Sequence, residues 1–176
     1  MDEYQEQKIL HTSHFSKTYL TLKSNSVTLY AKKCIIFPSN IKFENEEVEC
    51  FKNICNKLKQ LDHPCSMKIS YFTLPDIKPE SSPSIYTVFT PNYSLQDTLE
   101  EHPNELIDKT QEMIILYGVS QYINHLHKNA VHGRLKASNV LLDPKLYPLV
   151  SDPFFYEIYQ KIPKSDLPKT LDNTVF

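Results

Sequence analysis

The chain has 176 residues, with 19 basic and 21 acidic side chains and a formal net charge of −2. This length suits one domain or two small lobes, and the 40% hydrophobic content excludes a disordered or collagen-like chain. The balanced charge argues against a nucleic-acid-binding surface, and no apolar run approaches the ~20 residues that cross a membrane. Only 2 glycines stand against 12 prolines, so a glycine-rich loop that cradles phosphates is not expected.

The four cysteines form neither a disulfide framework nor a metal-binding pattern. No Cys-x-x-Cys pair occurs, and no histidine follows at the spacing of a zinc finger. We interpret them as small apolar residues in a reducing compartment. On that basis we expect a cytoplasmic protein, with the nucleus also open, and the acidic and polar first residues, MDEYQEQK, do not resemble a secretory signal.

The first third of the chain is patterned as strands. Leu20 and Leu22 alternate with polar residues. In VTLYAKKCII, five residues share one face at period two: Val27, Leu29, Ala31, Lys33 and Ile35. A lysine in phase with four apolar residues either reaches solvent at the rim of the strand or points at a ligand in a cleft. Two further strands are predicted in MKISYFTL and SIYTVFT.

Two helices are predicted from apolar residues that recur every three or four positions. The first extends from Phe43 to Leu61 and ends before Pro64. Its apolar stripe contains Val48, Phe51, Ile54, Cys55 and Leu58. The second extends from Gln111 to Lys128, and its apolar residues cover much of its circumference, which is typical of a helix buried on several sides. They are Ile114, Ile115, Leu116, Val119, Tyr122, Ile123 and Leu126.

Two segments after the second helix carry recognisable motifs. The segment LHKNAVHGRLKASNVLLD resembles the catalytic loop H-R-D-L-K-x-x-N of protein kinases, and YPLVSD resembles the strand that leads into their D-F-G motif. The segment SIYTVFTPNYSLQDTL is similar to that of the tyrosine-kinase-like branch of Ser/Thr kinases. The resemblance extends from about Ile9 to Phe155, and it implies an α+β, protein-kinase-like fold.

The resemblance also implies a division into lobes. It predicts a complete small β-rich lobe over residues 1–87, a hinge over residues 88–94 and the upper part of a helical large lobe over residues 95–176. No A-P-E segment follows Phe155, so we expect the helices that complete a kinase's large lobe to be missing. An uncovered Gln111–Lys128 helix would then favour self-association or binding of another protein.

At the positions of the family's phosphate-binding elements, the chain departs from the pattern. His11, Ser13 and Ser16 occupy the three glycine positions of the loop that covers the phosphates, where a Cβ hinders close approach of the backbone. Lys33 matches the strand lysine that grips the α- and β-phosphates. The position of its helical glutamate partner is occupied by Ile54, so we expect hydrophobic packing there instead of an ion pair.

The catalytic loop has lost its base. His132 and Lys136 match retained family positions, whereas Arg134 stands where the catalytic aspartate belongs. A guanidinium cannot accept a proton near neutral pH. Residue 134 therefore cannot accept the proton of the substrate hydroxyl in phosphoryl transfer.

The metal-binding positions are retained in part. Asn139 and Asp152 match the two Mg²⁺ ligands of the family. The Phe-Gly pair that should follow the aspartate is replaced by Pro153 and Phe154. Because proline fixes its own φ and restricts the preceding residue, we expect the motif to have lost its usual backbone freedom.

The adenine site is less altered. Ala31 and Leu141 match the apolar residues that sandwich the base, and Thr87 matches the residue at the back of the pocket. The hinge, whose backbone groups would meet adenine, contains Val88, Phe89 and Thr90. These side chains would belong to the core in either case, so base binding and plain packing are both open. We expect weak nucleotide binding, with little gained from the phosphates or from Mg²⁺.

The surviving scaffold and the altered catalytic positions favour a degenerate protein kinase domain, or pseudokinase. Such a domain would transfer no phosphate and would act by binding other proteins. Two alternatives stay open. One is a weakly active ATP-dependent Ser/Thr protein kinase that uses Lys33, Asn139 and Asp152 with Mg-ATP. The other is a decayed kinase fragment without function.

Overall fold

The computed structural model describes residues 4–13, 16–37, 45–74, 82–91, 94–101, 107–128 and 130–153. They divide into two compact units. The first contains the described residues up to Lys59 and those of Lys68–Phe89, and the second contains Gln60–Met67 and the described residues from Thr90 onward. Strands dominate the first unit and helices the second, so the α+β class predicted from the sequence is confirmed.

The first unit is built on a five-stranded antiparallel sheet. Its strands are β1 (Tyr4–Thr12), β2 (Ser16–Lys23), β3 (Leu29–Ile35), β4 (Ile69–Thr73) and β5 (Ser84–Val88). Their order across the sheet is β1-β2-β3-β5-β4. The last strand in sequence therefore lies between β3 and β4, with β1 and β4 at the edges.

Four tyrosines from four strands form a cluster on one face of this sheet: Tyr4, Tyr30, Tyr71 and Tyr86. The rings of Tyr4 and Tyr71 lie 5.9 Å apart although they belong to the two edge strands, so the sheet is strongly curled. Lys32 lies beside this cluster, 6.0 Å from the ring of Tyr86, and its ammonium donates to the Glu6 carboxylate at 2.7 Å.

Helix α1 (Asn45–Lys59) packs on this unit through the predicted apolar stripe. Four members of the stripe are buried: Phe51, Ile54, Cys55 and Leu58. The ring of Phe51 lies 6.5 Å from that of Phe72 in β4. The helix ends two residues before its predicted end, and its predicted first residue, Phe43, lies outside the described residues.

The predicted start of β3 is wrong. Val27 does not belong to the strand but to the preceding turn, where it is 97% exposed. The turn is set by Asn25, which adopts a left-handed φ of 61°, and by the Ser26 hydroxyl, which accepts the N–H of Thr28 at 3.0 Å. Local side-chain bonding of this kind overrides the apolar alternation by which Val27 was assigned to the strand.

The second unit contains α2 (Leu95–Glu101), α3 (Lys109–Leu126), a 3₁₀ turn (Ala137–Asn139) and a two-stranded ladder of β6 (Val140–Leu142) and β7 (Pro148–Val150). Helix α3 begins two residues before its predicted start because the Asp108 carboxylate accepts the N–H of Gln111 at 2.8 Å and caps the helix. No helix in the described part of the chain has the length and hydropathy needed to cross a membrane.

The core of the second unit lies where α3 meets β7. Ile115, Tyr122 and Leu126 are buried, as the periodicity predicted. Gly118 allows a close approach, since a Cβ there would lie 2.7 Å from Cγ of Pro148 and 3.0 Å from Sγ of Cys65. A side chain at this position would force α3 away from β7.

Candidate functional site

The tip of the β1–β2 hairpin is closed by two of the three residues at the family's glycine positions. The N–H of Ser13 donates to the carbonyl of Ser16 at 2.8 Å, and the N–H of Ser16 donates to the Ser13 hydroxyl at 3.1 Å. The third residue, His11, pairs with Thr18 within the β1–β2 ladder. A phosphate-binding loop needs free amides that point at the ligand. Here both serine amides are already used within the hairpin.

Strand β3 carries two of the predicted nucleotide-binding residues. Ala31 lies directly opposite Thr87 of β5, so the structure brings these two predicted adenine-site residues together. Lys33 follows two residues later and therefore shares the face of Ala31, whereas Lys32 points to the opposite face and binds Glu6. The alternation confirms that Lys33, and not its neighbour, is in phase with Ala31.

The helix position predicted to lack its glutamate is buried and apolar. Ile54 is 7% exposed, and it adjoins Cys55, which is fully buried. Burial raises the pKa of the Cys55 thiol to about 12, which shows how strongly this stripe disfavours charge. Helix α1 thus contributes packing at this point and supplies no carboxylate there.

The division between the two units falls between Phe89 and Thr90, and the hinge over residues 88–94 stays a prediction. Val88 ends β5 and is 50% exposed. The N–H of Phe89 donates to the carbonyl of Leu29 at 2.9 Å, so it is engaged within the first unit. Of the three predicted hinge residues, two therefore belong to the first unit and Thr90 to the second.

The catalytic-loop segment is organised around a buried histidine. His132 is 1% exposed, and its Nδ1 accepts the N–H of Arg134 at 3.2 Å. Its Nε2 lies 2.9 Å from the carbonyl oxygen of Ser151, which assigns the proton to Nε2 as the donor. Burial lowers the pKa of His132, so the ring is neutral near pH 7. Because both ring nitrogens are used in holding the loop, the residue positions its neighbours.

The backbone of Arg134, the residue predicted to occupy the position of the base, is held by hydrogen bonds. The N–H of Arg134 is bound by His132, and its carbonyl accepts the side-chain amide of Asn139 at 2.8 Å. Lys136 is exposed and precedes the 3₁₀ turn, where its carbonyl accepts the N–H of Asn139 at 2.9 Å. The backbone of the loop is therefore fixed by hydrogen bonds that do not involve the arginine side chain.

The two predicted Mg²⁺ ligands lie at the same end of the β6–β7 ladder. Both are nearly buried, Asn139 at 7% and Asp152 at 8% exposure. The N–H of Ser151, next to Asp152, donates to the carbonyl of Asn139 at 2.8 Å. An amide oxygen and a carboxylate are suitable Mg²⁺ ligands, so these residues would hold a nucleotide-bound Mg²⁺ that neutralises phosphate charge. No cluster of three or more His, Cys, Asp or Glu residues suited to a metal occurs among the described residues.

Leu141, predicted to sandwich the adenine base together with Ala31, occupies the middle of β6 and is half-buried. It faces Leu149 across the ladder and forms a bridge with Ser94, which precedes α2. Its position is thus fixed within the second unit.

Two left-handed backbone conformations in the catalytic-loop and D-F-G-like segments were not predicted from the sequence. Gly133 and Asp152 both have left-handed φ angles, of 67° and 63°. The glycine adopts this conformation without cost, whereas an aspartate does so only under constraint. The only direct sequence signal of a left-handed φ here was Gly133 itself, one of two glycines in the chain. Pro153 indicated a restricted Asp152 but not which region of φ it would occupy, and Phe154 lies outside the described residues.

The family model for protein tyrosine and serine/threonine kinases matches residues 5–166. The chain belongs to the protein kinase family. This confirms the resemblance inferred from the catalytic-loop and D-F-G-like segments.

Several curated kinases are similar to this chain. It is 30% identical to pollen receptor-like kinase 2 of Arabidopsis thaliana over 155 residues, which cover 82% of the chain and 22% of that protein. It is 28% identical to the protein kinase domain-containing protein ppk3 of Schizosaccharomyces pombe over 131 residues, 73% of the chain and 18% of that protein. A shorter match of 69 residues, 38% identical, covers 36% of the chain and 10% of the mouse interleukin-1 receptor-associated kinase 1. The chain spans about a fifth of the length of the first two.

Proposed function

We propose that this member of the protein kinase family is a pseudokinase, which transfers no phosphate and acts by binding other proteins. The observation that carries the proposal is the guanidinium of Arg134 at the position of the base. The N–H and carbonyl of this residue are bound by His132 and Asn139, so its backbone is held whatever side chain it carries. A guanidinium in that place leaves the substrate hydroxyl without a proton acceptor.

The first unit supports the same proposal. A bound phosphate would compete with the Ser13–Ser16 hydrogen bonds for both amides. The buried Ile54 provides no carboxylate that could orient Lys33. Phosphoryl transfer depends on positioning and on charge stabilisation, so these changes act against it together with the loss of the base.

A phosphotransfer assay tests this proposal. The purified chain, incubated with Mg-ATP and a generic protein substrate, should give no signal above that of a heat-denatured sample. The Arg134→Asp variant should also give none, because catalytic residues that act as a unit are not restored one at a time. Transfer by the wild-type chain that is lost in Asp152→Ala would overturn the proposal.

A weakly active Ser/Thr kinase is the second candidate, and it is favoured by the position of Asn139 and Asp152 at the same end of the β6–β7 ladder. If these residues hold a nucleotide-bound metal, ATP should raise Tm more with Mg²⁺ than with EDTA. Equal shifts with and without Mg²⁺ would favour the pseudokinase. A chain that unfolds without a cooperative transition would instead support the third reading, a decayed fragment without function.

We also propose that the chain self-associates through one face of α3. Three large apolar side chains are exposed on that face: Met113, Leu116 and Tyr117, at 66%, 60% and 68%. Leu116 and Tyr117 lie three and four residues after Met113, so both are its neighbours on the helix surface. The sequence from Met113 to Asn124 contains no charged residue, so two copies of the face meet without like charges. A second copy is therefore an electrostatically suitable partner.

Sedimentation across a range of concentrations tests the α3 contact. Leu116→Lys should shift the chain towards monomer, because two like charges would then meet at the contact. Leu99→Lys is the matched control, since Leu99 is a single exposed leucine of α2 at 47%. A wild-type chain that is monomeric at high concentration would contradict the proposal, and so would an equal effect of both variants.

We place the protein in the cytoplasm. The proposal rests on the spacing of the four cysteines, which forms neither a disulfide framework nor a metal site.

A further inference from the structure

Two histidines face each other in the second unit. The ring centroids of His63, in the 60–67 loop, and His125, near the end of α3, lie 5.5 Å apart with their planes inclined by 33°. The ring of His63 also lies 5.7 Å from that of Tyr122, one turn earlier on α3. Tyr122 is fully buried. His63 thus packs against the face of α3 on which Tyr122 and His125 are neighbours.

The hydrogen bonding of His63 requires a neutral ring. Its Nδ1 accepts the N–H of Cys65 at 3.1 Å. A nitrogen that accepts is unprotonated, whereas both nitrogens of a protonated imidazole are donors. Protonation of Nδ1 would therefore set two N–H groups against each other and break this bond. It would also place a positive charge beside the ring of His125.

The ionisable groups around His63 can be named for each element packed against it. The loop is bonded to β7, whose three residues Pro148–Val150 include no ionisable group. On α3, the ionisable groups that face the ring are Tyr122 and His125. In the loop itself they are Cys65 and the exposed Asp62. Burial lowers the pKa of His63, and the charge of His125 lowers it further.

The 60–67 loop is bound to β7 by backbone hydrogen bonds within the second unit. Its carbonyl at Cys65 accepts the N–H of Val150 at 2.8 Å, and the N–H of Met67 donates to the carbonyl of Val150 at 3.1 Å. The Cys65 sulfur also lies where a Cβ on Gly118 would be 3.0 Å away. The His63 ring therefore fixes a turn that is packed tightly between β7 and α3.

We propose that the His63–His125 pair is an acid-sensitive clamp, which holds the 60–67 loop on α3 at neutral pH and releases it below about pH 6.5. Proton linkage determines whether acid stabilises or destabilises the folded loop. With a lowered pKa in the folded state, the released or unfolded loop binds the proton more readily. The stabilisation of the loop by His63 is complete above the pKa that His63 has in the unfolded chain. It is lost as the pH falls through the pKa of His63 in the folded chain. This device does not depend on the proposed pseudokinase function.

The test compares the fall in Tm between pH 7.5 and pH 5.5 in three variants of the full chain. His63→Asn keeps an acceptor for the Cys65 N–H but does not titrate, and His125→Asn removes the second ring. Each should reduce the fall by about 2–4 °C. His127→Asn is the matched control, since His127 is exposed and lies two residues from His125. It should keep the wild-type fall, and equal falls in all variants would overturn the proposal.

A second measurement serves if a variant fails to fold at pH 7.5. An NMR titration of the wild-type chain should give His63 a lower midpoint than the same residue has in the urea-unfolded chain. The Cys65 amide resonance should shift with the same midpoint, because its hydrogen bond breaks on protonation. A folded midpoint equal to the unfolded one would refute the clamp.

Discussion

The β1–β2 turn and the catalytic-loop segment have both departed from the kinase pattern, but in different ways. In the turn, Ser13 and Ser16 stand at predicted glycine positions and form hydrogen bonds with each other. In the catalytic loop, the hydrogen bonds that hold the backbone run through His132 and Asn139, which are retained. By the motif match, Gly133 stands at the arginine position of H-R-D-L-K-x-x-N and Arg134 at its aspartate position.

This difference separates two kinds of residue in one fold. Residues that satisfy buried backbone groups maintain the fold, since an unpaired buried group costs about 1–3 kcal/mol. A catalytic side chain satisfies no such requirement, so its replacement costs the fold less. Under the proposed loss of phosphotransfer, the kinase scaffold would persist at positions where its chemistry does not.

The largest effect is expected from removing the scaffold of the catalytic loop. His132→Ala should lower the free energy of unfolding by about 3–5 kcal/mol, since it opens a cavity and leaves the Arg134 N–H and the Ser151 carbonyl without partners. Arg134→Ala should lower it by less than His132→Ala does, because the arginine side chain makes neither of these two bonds. Urea denaturation of both variants measures the contrast. Equal losses would show that the arginine has become part of the scaffold.

The scaffold was predictable from sequence where the signal is periodic or carried by a motif. The burial of Phe51, Ile54 and Leu58 followed from their spacing on α1, and the burial of Tyr122 from its spacing on α3. The strand alternation that links Ala31 to Lys33 was equally direct. Such patterns are visible because they repeat along one element.

Features made by single local bonds were not predictable in the same way. The Asp108 cap lengthened α3, and the Ser26 bond moved Val27 out of β3. Strand β1 is exposed at almost every position, so it has no apolar alternation to reveal it. The contact between the rings of His63 and His125 joins residues 62 positions apart, and no spacing rule predicts it.

A smaller effect is expected at the hairpin tip. Ser13→Ala removes the acceptor of the Ser16 N–H and should cost about 1 kcal/mol of unfolding free energy. Ser26→Ala is a suitable control, because its hydroxyl accepts a backbone N–H in the next turn of the same sheet. The double variant Ser13→Gly, Ser16→Gly restores two glycine positions and should still bind no phosphate strongly. A large gain in Mg-ATP affinity in that variant would show that the serines alone had closed the site.

The smallest effect is expected for the retained lysine. Affinity at a kinase site combines adenine burial with phosphate and metal contacts, and Lys33 contributes only to the phosphates. With Ile54 in place of its carboxylate partner, the ammonium is not oriented towards a phosphate by that route. Lys33→Met should therefore change the Kd for Mg-ATP by less than about threefold, well below the roughly tenfold that the loss of one well-made charged contact produces.

Ala31→Trp calibrates that measurement, because Ala31 lies opposite Thr87 and a large ring there fills the space expected for the base. It should abolish whatever nucleotide binding the wild-type chain shows in calorimetry. We expect that binding to be near millimolar, since a lost charge-assisted contact at each of two phosphate-side positions removes roughly 3–6 kcal/mol in total. Micromolar binding of Mg-ATP that collapses in Lys33→Met would reverse the assignment. The phosphate side would then be functional despite Ser13, Ser16 and Ile54, and the weakly active kinase would become the better description of the site.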